Sequence, residues 1–276
     1  MTYKTLLVHM ELDDSNEAML KVAGSLAEQF QAHVIGIAAC QPIQTLAGEG
    51  VASGELIVEE RAEITREIAA AENQFRAAME GRAASVEWRH FVTFAPLASY
   101  IADEARAADL IITGPDMGMS LLDNSRRVRL GDLALEAGRP LLILPRGVKS
   151  LNLRRVVIGW KEAREPRRAV ADALPLLALA EHVTVLQAAR KELLEFVRGN
   201  LRDVVRWLGR HGVEAVPAVA VGADHDFVAL YNELKERRCD LFVAGAYGHS
   251  RLGEFVFGGV TRDMLLDAEF PVLISH

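Results

Sequence analysis

Residues 240–261 read DLFVAGAYGHSRLGEFVFGGVT, and the fold follows from the order of residue types along this stretch. Leu241 to Ala244 is a short unbroken apolar run, the pattern of a strand buried on both faces of a parallel sheet. Gly245 and Gly248 turn the chain, and a short loop follows. Gly258-Gly259 then leads through Val260 and Thr261 into RDMLLDAE, which reads as a helix. A strand, a glycine turn and a helix start, in that order, can hold a phosphate. Glycine lets the backbone approach a ligand closely, and the first amides of a helix are unpaired donors at the positive end of its dipole. The same glycines can equally do no more than shape the turn.

Outward from this stretch, apolar runs of strand length alternate with amphipathic segments of helical period. In the first part of the chain the expected strands are 5–10, 33–39, 86–93, 109–114 and 140–145. The expected helices are 16–31, with a cap at Asp13-Asp14-Ser15, then 96–106 and 130–137. Between the second and third strands, Ile57, Ile64, Ile68, Phe75 and Met79 recur at helical spacing and predict one long amphipathic helix. A basic, polar connector covers 146–153, and the pattern restarts. The second set of strands is 156–160, a run from His182, 216–221, 241–244 and 271–275, with helices at 166–179, 193–208 and 227–237.

The two sets align. Asp109-Leu110 against Asp240-Leu241, Gly114 against Gly245, Asp132 against Asp263 and Pro140 against Pro271 all lie 131 residues apart. HVIGIAA from His33 and HVTVLQA from His182 lie 149 apart, and the difference falls where the first half carries its long helix. This is the mark of a tandem duplication, with expected domains at 1–146 and 153–276. Strands alternating with helices predict parallel sheets with right-handed crossovers. Opposite Gly248, Gly258 and Gly259 the first half has Met117, Arg127 and Val128, whose side chains block the close backbone approach a phosphate needs. The first half therefore reads as a degenerate copy and the second as the retained one.

The spacing Gly245-x2-Gly248-x9-Gly258-Gly259 resembles the nucleotide-binding signature of the universal stress protein family, and with the repeat the resemblance covers almost the whole chain. It implies an α/β fold of two tandem open five-stranded parallel sheets flanked by helices. It also implies that PLLILP and PVLISH meet inside one chain as a pseudo-dimer, with homodimerisation between chains left open. The implied ligand is ATP or another adenine nucleotide (ADP or AMP), with Mg, bound in the second half. The implied role is a nucleotide-dependent stress-response sensor or regulator. Two positions depart from the family pattern: Gly259 stands where a Ser or Thr is usual, and Lys161 stands where an Asp contacts the nucleoside.

Ligands of open parallel sheets sit beyond the carboxyl ends of the strands. This makes Gly159, Trp160, Lys161, Leu186 and the Gly245 loop the expected contributors. An ammonium cannot accept a hydrogen bond from ribose or base, so Lys161 either pairs with phosphate or points into solvent. Trp160 either packs in the core or stacks on a base, and Leu186 or its neighbour Gln187 either lines an adenine pocket or simply packs. His249 and Arg251 are phosphate contacts or exposed loop residues. Val260 leads into the helix, where Thr261 bonds a phosphate oxygen, caps the helix, or both. Arg126, Arg127 and Arg129 read as a solvated basic loop, or else as an anion or partner contact. His225, between Asp224 and Asp226, reads as part of a polar loop, because no further ligand of recognisable spacing accompanies it.

The composition narrows the function classes. Of 276 residues 50% are hydrophobic and 25% charged, with a net charge of -7, which argues against nucleic acid as the main partner. Two cysteines, Cys40 and Cys239, without metal-site spacing fit a reducing compartment and small buried side chains. No apolar run is long enough to span a membrane, and the N-terminal MTYKTLLVHMELDD lacks the pattern of a signal peptide, so the expected location is cytoplasmic. No GxxxxGK[ST], HExxH or GxSxG occurs. Slow ATP hydrolysis is the most the resemblance allows, and no base can be named for it. The alternative to nucleotide binding is a scaffold in which both sites are degenerate.

Overall fold

The computed structural model of the chain describes residues 2–12, 14–42, 54–115, 125–222, 227–246 and 269–276. Its first half runs β1 (Thr5–His9), α1 (Glu17–Phe30), β2 (His33–Cys40), α2 (Gly54–Met79), β3 (Ser85–Val92), α3 (Leu97–Glu104), β4 (Leu110–Thr113), α4 (Leu130–Glu136) and β5 (Leu141–Ile143). The second half runs β6 (Arg155–Gly159), α5 (Arg164–Leu177), β7 (His182–Ala189), α6 (Leu194–Arg210), β8 (Ala215–Val221), α7 (Phe227–Glu236), β9 (Leu241–Gly245) and β10 (Val272–Ser275). The segment RDMLLDAE, expected as a helix, lies outside the described residues apart from its last member, Glu269.

The strands form one ten-stranded sheet in the order β3-β2-β1-β4-β5-β10-β9-β6-β7-β8. Neighbours are parallel except at the centre, where β5 and β10 pair antiparallel with Leu142 opposite Leu273. The second half of this order mirrors the first. The two expected five-stranded sheets are thus joined edge to edge by the pairing of PLLILP with PVLISH, which covers two apolar edges that would otherwise template aggregation. Because the central pairing is antiparallel, the carboxyl ends of the two sets of strands lie on opposite edges of the sheet.

The central strands are apolar without alternation because both faces are covered: Leu6, Leu7 and Val8 are each at 0% exposure. Helices α1, α2, α5 and α6 pack on one face, and α3, α4 and α7 on the other. Helix α2 buries Ile64, Ile68, Phe75 and Met79 as its periodicity predicts, but Ile57 of the same stripe is 44% exposed. The reason is length: 26 residues of helix reach about 39 Å, whereas the eight residues of β2 reach about 26 Å, so the start of α2 overhangs the sheet. Helix α5 begins at Arg164, before the expected 166. Pro166 falls in its first turn, where a missing N–H has no intrahelical acceptor to lose.

Side chains fasten the halves beside the central pairing. The Tyr3 hydroxyl donates across to the Asp172 carbonyl at 2.6 Å, and within the second half the Ser275 hydroxyl holds the Asp172 carboxylate at 2.6 Å. Arg168 donates to the Gly138 carbonyl at 3.1 Å. Burial raises the Tyr3 pKa, and the carboxylates of Asp172 and Asp109 add to it. Both cysteines are free and buried, and burial pushes the Cys239 thiol up to about 12.

Candidate functional site

At the carboxyl edge of the second half, β6 ends at Gly159 and the chain makes a tight turn into α5. The Trp160 N–H donates to the Leu186 carbonyl at 2.8 Å, and the Ala163 N–H donates to the Lys161 carbonyl at 2.8 Å. These bonds set Trp160 and Lys161 just beyond the strand ends, with β7 on one side of β6 and β9 on the other. Gly159 and Gly245 are both required by packing. A Cβ on Gly159 would stand 2.5 Å from Cζ of Phe242, and one on Gly245 would stand 2.5 Å from the carbonyl carbon of Glu165 at the start of α5. Glycine at 245 is what lets the helix start close over the end of β9.

Trp160 packs against the core and donates its indole N–H to the Glu162 carboxylate at 2.9 Å. Leu186 is fully buried within the core on the α7 face and presents no side-chain surface at the edge. Its neighbour Gln187 has a buried side-chain oxygen with no hydrogen-bond partner among the described residues. Around the turn most charges are balanced. Arg164 pairs with Glu165 at 2.7 Å and Arg167 with Glu162 at 3.0 Å. His276 donates from Nδ1 to the Ala246 carbonyl at 3.1 Å, and its Nε2 faces Arg164 at 3.4 Å. Burial pushes the Glu165 carboxyl up, but the Arg164 hydrogen bond, its own backbone N–H and the charges of Arg164 and His276 outweigh that and leave it lowered. Lys161 is half-buried and has no carboxylate partner among the described residues. Gly248, His249, Arg251, Gly258, Gly259, Val260 and Thr261 lie outside the described residues, as do Met117 and His225.

The first half places different chemistry at its own carboxyl edge. The register of β1 on β4 and of β6 on β9 makes His9 equivalent to Gly159, Glu11 to Lys161, Thr113 to Ala244 and Gly114 to Gly245. His9 and Thr113 are 3% and 1% exposed and bonded to each other at 3.0 Å, and burial lowers the His9 pKa to about 4. The Glu11 carboxylate lies against Gly114, where an added Cβ would stand 3.0 Å from its Cδ. Asn16 holds the Glu11 backbone with bonds of 2.9 and 2.7 Å. The expected solvated basic loop is corrected at Arg126, whose side chain is only 10% exposed. Arg126 pairs with Glu67 of α2 at 2.8 Å and donates to the Gln41 carbonyl at 3.1 Å, while the Gln41 N–H donates to Ser125 at 2.7 Å. The long helix peculiar to this half supplies the carboxylate that draws the arginine in. Val128, which stands opposite Gly259 in the repeat, packs in the core. His9 and Glu11 escaped the sequence reading. Carrying the repeat through to the ends of the first strands, where the offset is 150, is the signal that finds them.

No family model matches the chain, and no curated protein matches it. Solved structures do. A universal stress protein from Archaeoglobus fulgidus DSM 4304 superposes with a TM-score of 0.66 at 14% identity, over 98% of this chain and 97% of that one. The fold is that of the universal stress proteins. A putative universal stress protein from Pseudomonas aeruginosa UCBPP-PA14 follows at 0.61 and 17% identity, over 99% and 93% of the two chains. A functionally unknown protein from Pseudomonas aeruginosa PAO1 gives 0.61 and 17%, over 99% and 92%. Coverage of this extent means that both halves belong to the shared universal stress protein architecture.

Within that fold the two edges contrast. Small residues and a lysine stand on the second; a buried histidine, a glutamate and a closed arginine bridge stand on the first. Among the described residues no group of three His, Cys, Asp or Glu side chains could hold a metal ion. No described helix is long and apolar enough to cross a membrane.

Proposed function

We propose that the chain comprises two domains, 1–146 and 153–276, and that the second binds an adenine nucleotide, ATP, ADP or AMP, at the carboxyl edge of β6, β7 and β9. The chain then acts as a nucleotide-dependent stress-response sensor or regulator. The observation that carries this reading is the contrast between the edges: His9, Thr113 and Glu11 stand on the first, whereas Gly159, Ala244 and Lys161 stand at the corresponding positions of the second. Gly248, Gly258 and Gly259 admit the phosphates to backbone amides, Thr261 adds a hydroxyl, His249 adds a ring N–H donor and Arg251 adds positive charge. Trp160 and Lys161 flank the turn, and Leu186 contributes from beneath as packing. Mg arrives with the nucleotide and is held by its phosphates, since Glu162 and Glu165 are engaged with arginines. The role is binding and signalling, with no chemical step assigned.

Calorimetric titration of nucleotide-free protein with Mg-ATP tests this. One site per chain is the expected result, and Gly258→Leu should abolish it. Two sites would refute the reading of the first half, and no binding would refute that of the second. Ligand at a hundredfold its Kd should add about 2.7 kcal/mol of stability.

One feature favours a scaffold instead. The outer strand β8 carries no charge, and Val216 and Val221 are 58% and 61% exposed, whereas the opposite outer strand β3 carries Glu87 and Arg89. An outer strand without charge lacks one guard against edge pairing and keeps another in Pro217. Under that reading the titration shows no nucleotide bound.

A further inference from the structure

We propose that Lys161 makes the second-half edge select its ligand by negative charge, so that affinity rises with the number of phosphates and the nucleoside alone binds poorly. The inference rests on the adenine-nucleotide reading and names the group that gives that site its selectivity.

Three observations carry it. The first is position. Bonds on either side of Lys161, from Trp160 N–H to Leu186 and from Ala163 N–H back to the Lys161 carbonyl, fix the root of its side chain beyond the end of β6. That is where ligands of open parallel sheets lie. The second is charge balance. Arg164, Arg167 and Arg168 along the same turn and helix each have a carboxylate partner, in Glu165, Glu162 and Asp172. Lys161 is half-buried with none among the described residues. An ammonium without a carboxylate beside it gains when an anion arrives. The pairing of Glu162 and Glu165 also quiets the two carboxylates that would otherwise repel a phosphate.

The third observation is the comparison between halves. The residue equivalent to Lys161 is Glu11, whose carboxylate lies against Gly114. The charge of the side chain at this place is therefore reversed between two edges of the same fold. Lysine offers donors only, and an ionised phosphate oxygen is a stronger acceptor for it than a ribose hydroxyl. Selection of this kind weakens with salt.

The test is titration of the full chain with ATP, AMP and adenosine in the presence of EDTA, at low and at moderate salt. Wild type should bind ATP more tightly than AMP and adenosine least. Lys161→Met should weaken ATP about fivefold, equivalent to about 1 kcal/mol, change adenosine less than about twofold, and flatten the salt dependence. Lys161→Arg should retain both affinity and salt dependence, and the melting temperature of each variant reports that it is folded. If wild type and Lys161→Met bind ATP alike, the charge-selection inference is overturned and the adenine-nucleotide site stands. If folded wild type binds neither nucleotide nor nucleoside, with Mg as well as with EDTA, the adenine-nucleotide reading falls and the inference falls with it.

Discussion

Acidification should destabilise the first half through one residue, His9. Its imidazole is 3% exposed at the end of β1 and bonded to Thr113, and burial lowers its pKa from 6.5 to about 4. The unfolded chain therefore takes up the proton first. The contribution of neutral His9 to stability is fully present above pH 6.5 and is lost as the pH falls toward 4. For a group with these two pKa values the loss between pH 7.5 and pH 5.0 is about 2 kcal/mol. Other groups also titrate in this range, so the measurement is a difference. Urea unfolding followed by circular dichroism would be run at both pH values on wild type and on His9→Asn, which keeps a polar group facing Thr113 and does not titrate. Wild type should lose about 2 kcal/mol more than the variant over this interval. Parallel pH dependences would refute the reasoning, because they would mean that His9 is not held neutral by burial.

Three further changes follow from the packing. Gly245→Ala places a methyl group against the backbone of Glu165 and Pro166, so it should cost about 1–3 kcal/mol by denaturant unfolding, and an unchanged midpoint would show that α5 yields freely. Arg126→Met and Glu67→Gln should each cost about 1–3 kcal/mol, since each strands a largely buried partner; the double variant should cost less than their sum, and strict additivity would dissolve the bridge. Cys40 and Cys239 should react with a disulfide reagent slowly in the native protein and fully in urea, because burial raises both thiol pKa values; rapid native reaction would contradict their burial.

The architecture was legible for a physical reason. A parallel sheet covered on both faces demands unbroken apolar strands, and TLLVHM, LIIT, VVIG and LFVA all meet that demand. The duplication was legible because Asp109 and Asp240 do the same work in both halves: each carboxylate accepts a backbone N–H at the start of a neighbouring strand, Thr5 in one case and Arg155 in the other, at 2.9 Å. The edges were harder to read. A glycine in a sequence states only that a side chain is missing there. Gly159 makes way for Phe242 and Gly245 for the start of α5, and neither neighbour is close in sequence.

The order of strands and helices and the repeat were determined by the sequence alone, because they depend on local periodicity. The meeting of the two last strands was implied only by the family resemblance, and the antiparallel pairing of β5 with β10 decided it. Arg126 shows the limit of that reasoning. Its neighbours along the chain mark it as a solvated loop cation, and only the fold brings Glu67, 59 residues away, to within 2.8 Å. The opposite charges of Glu11 and Lys161 were likewise on view in the chain, but that they occupy one place in two copies of an edge was decided by strand register. Which side chains fill a crevice and which leave it open depends on contacts between distant segments, and those exist only once the sheet has formed.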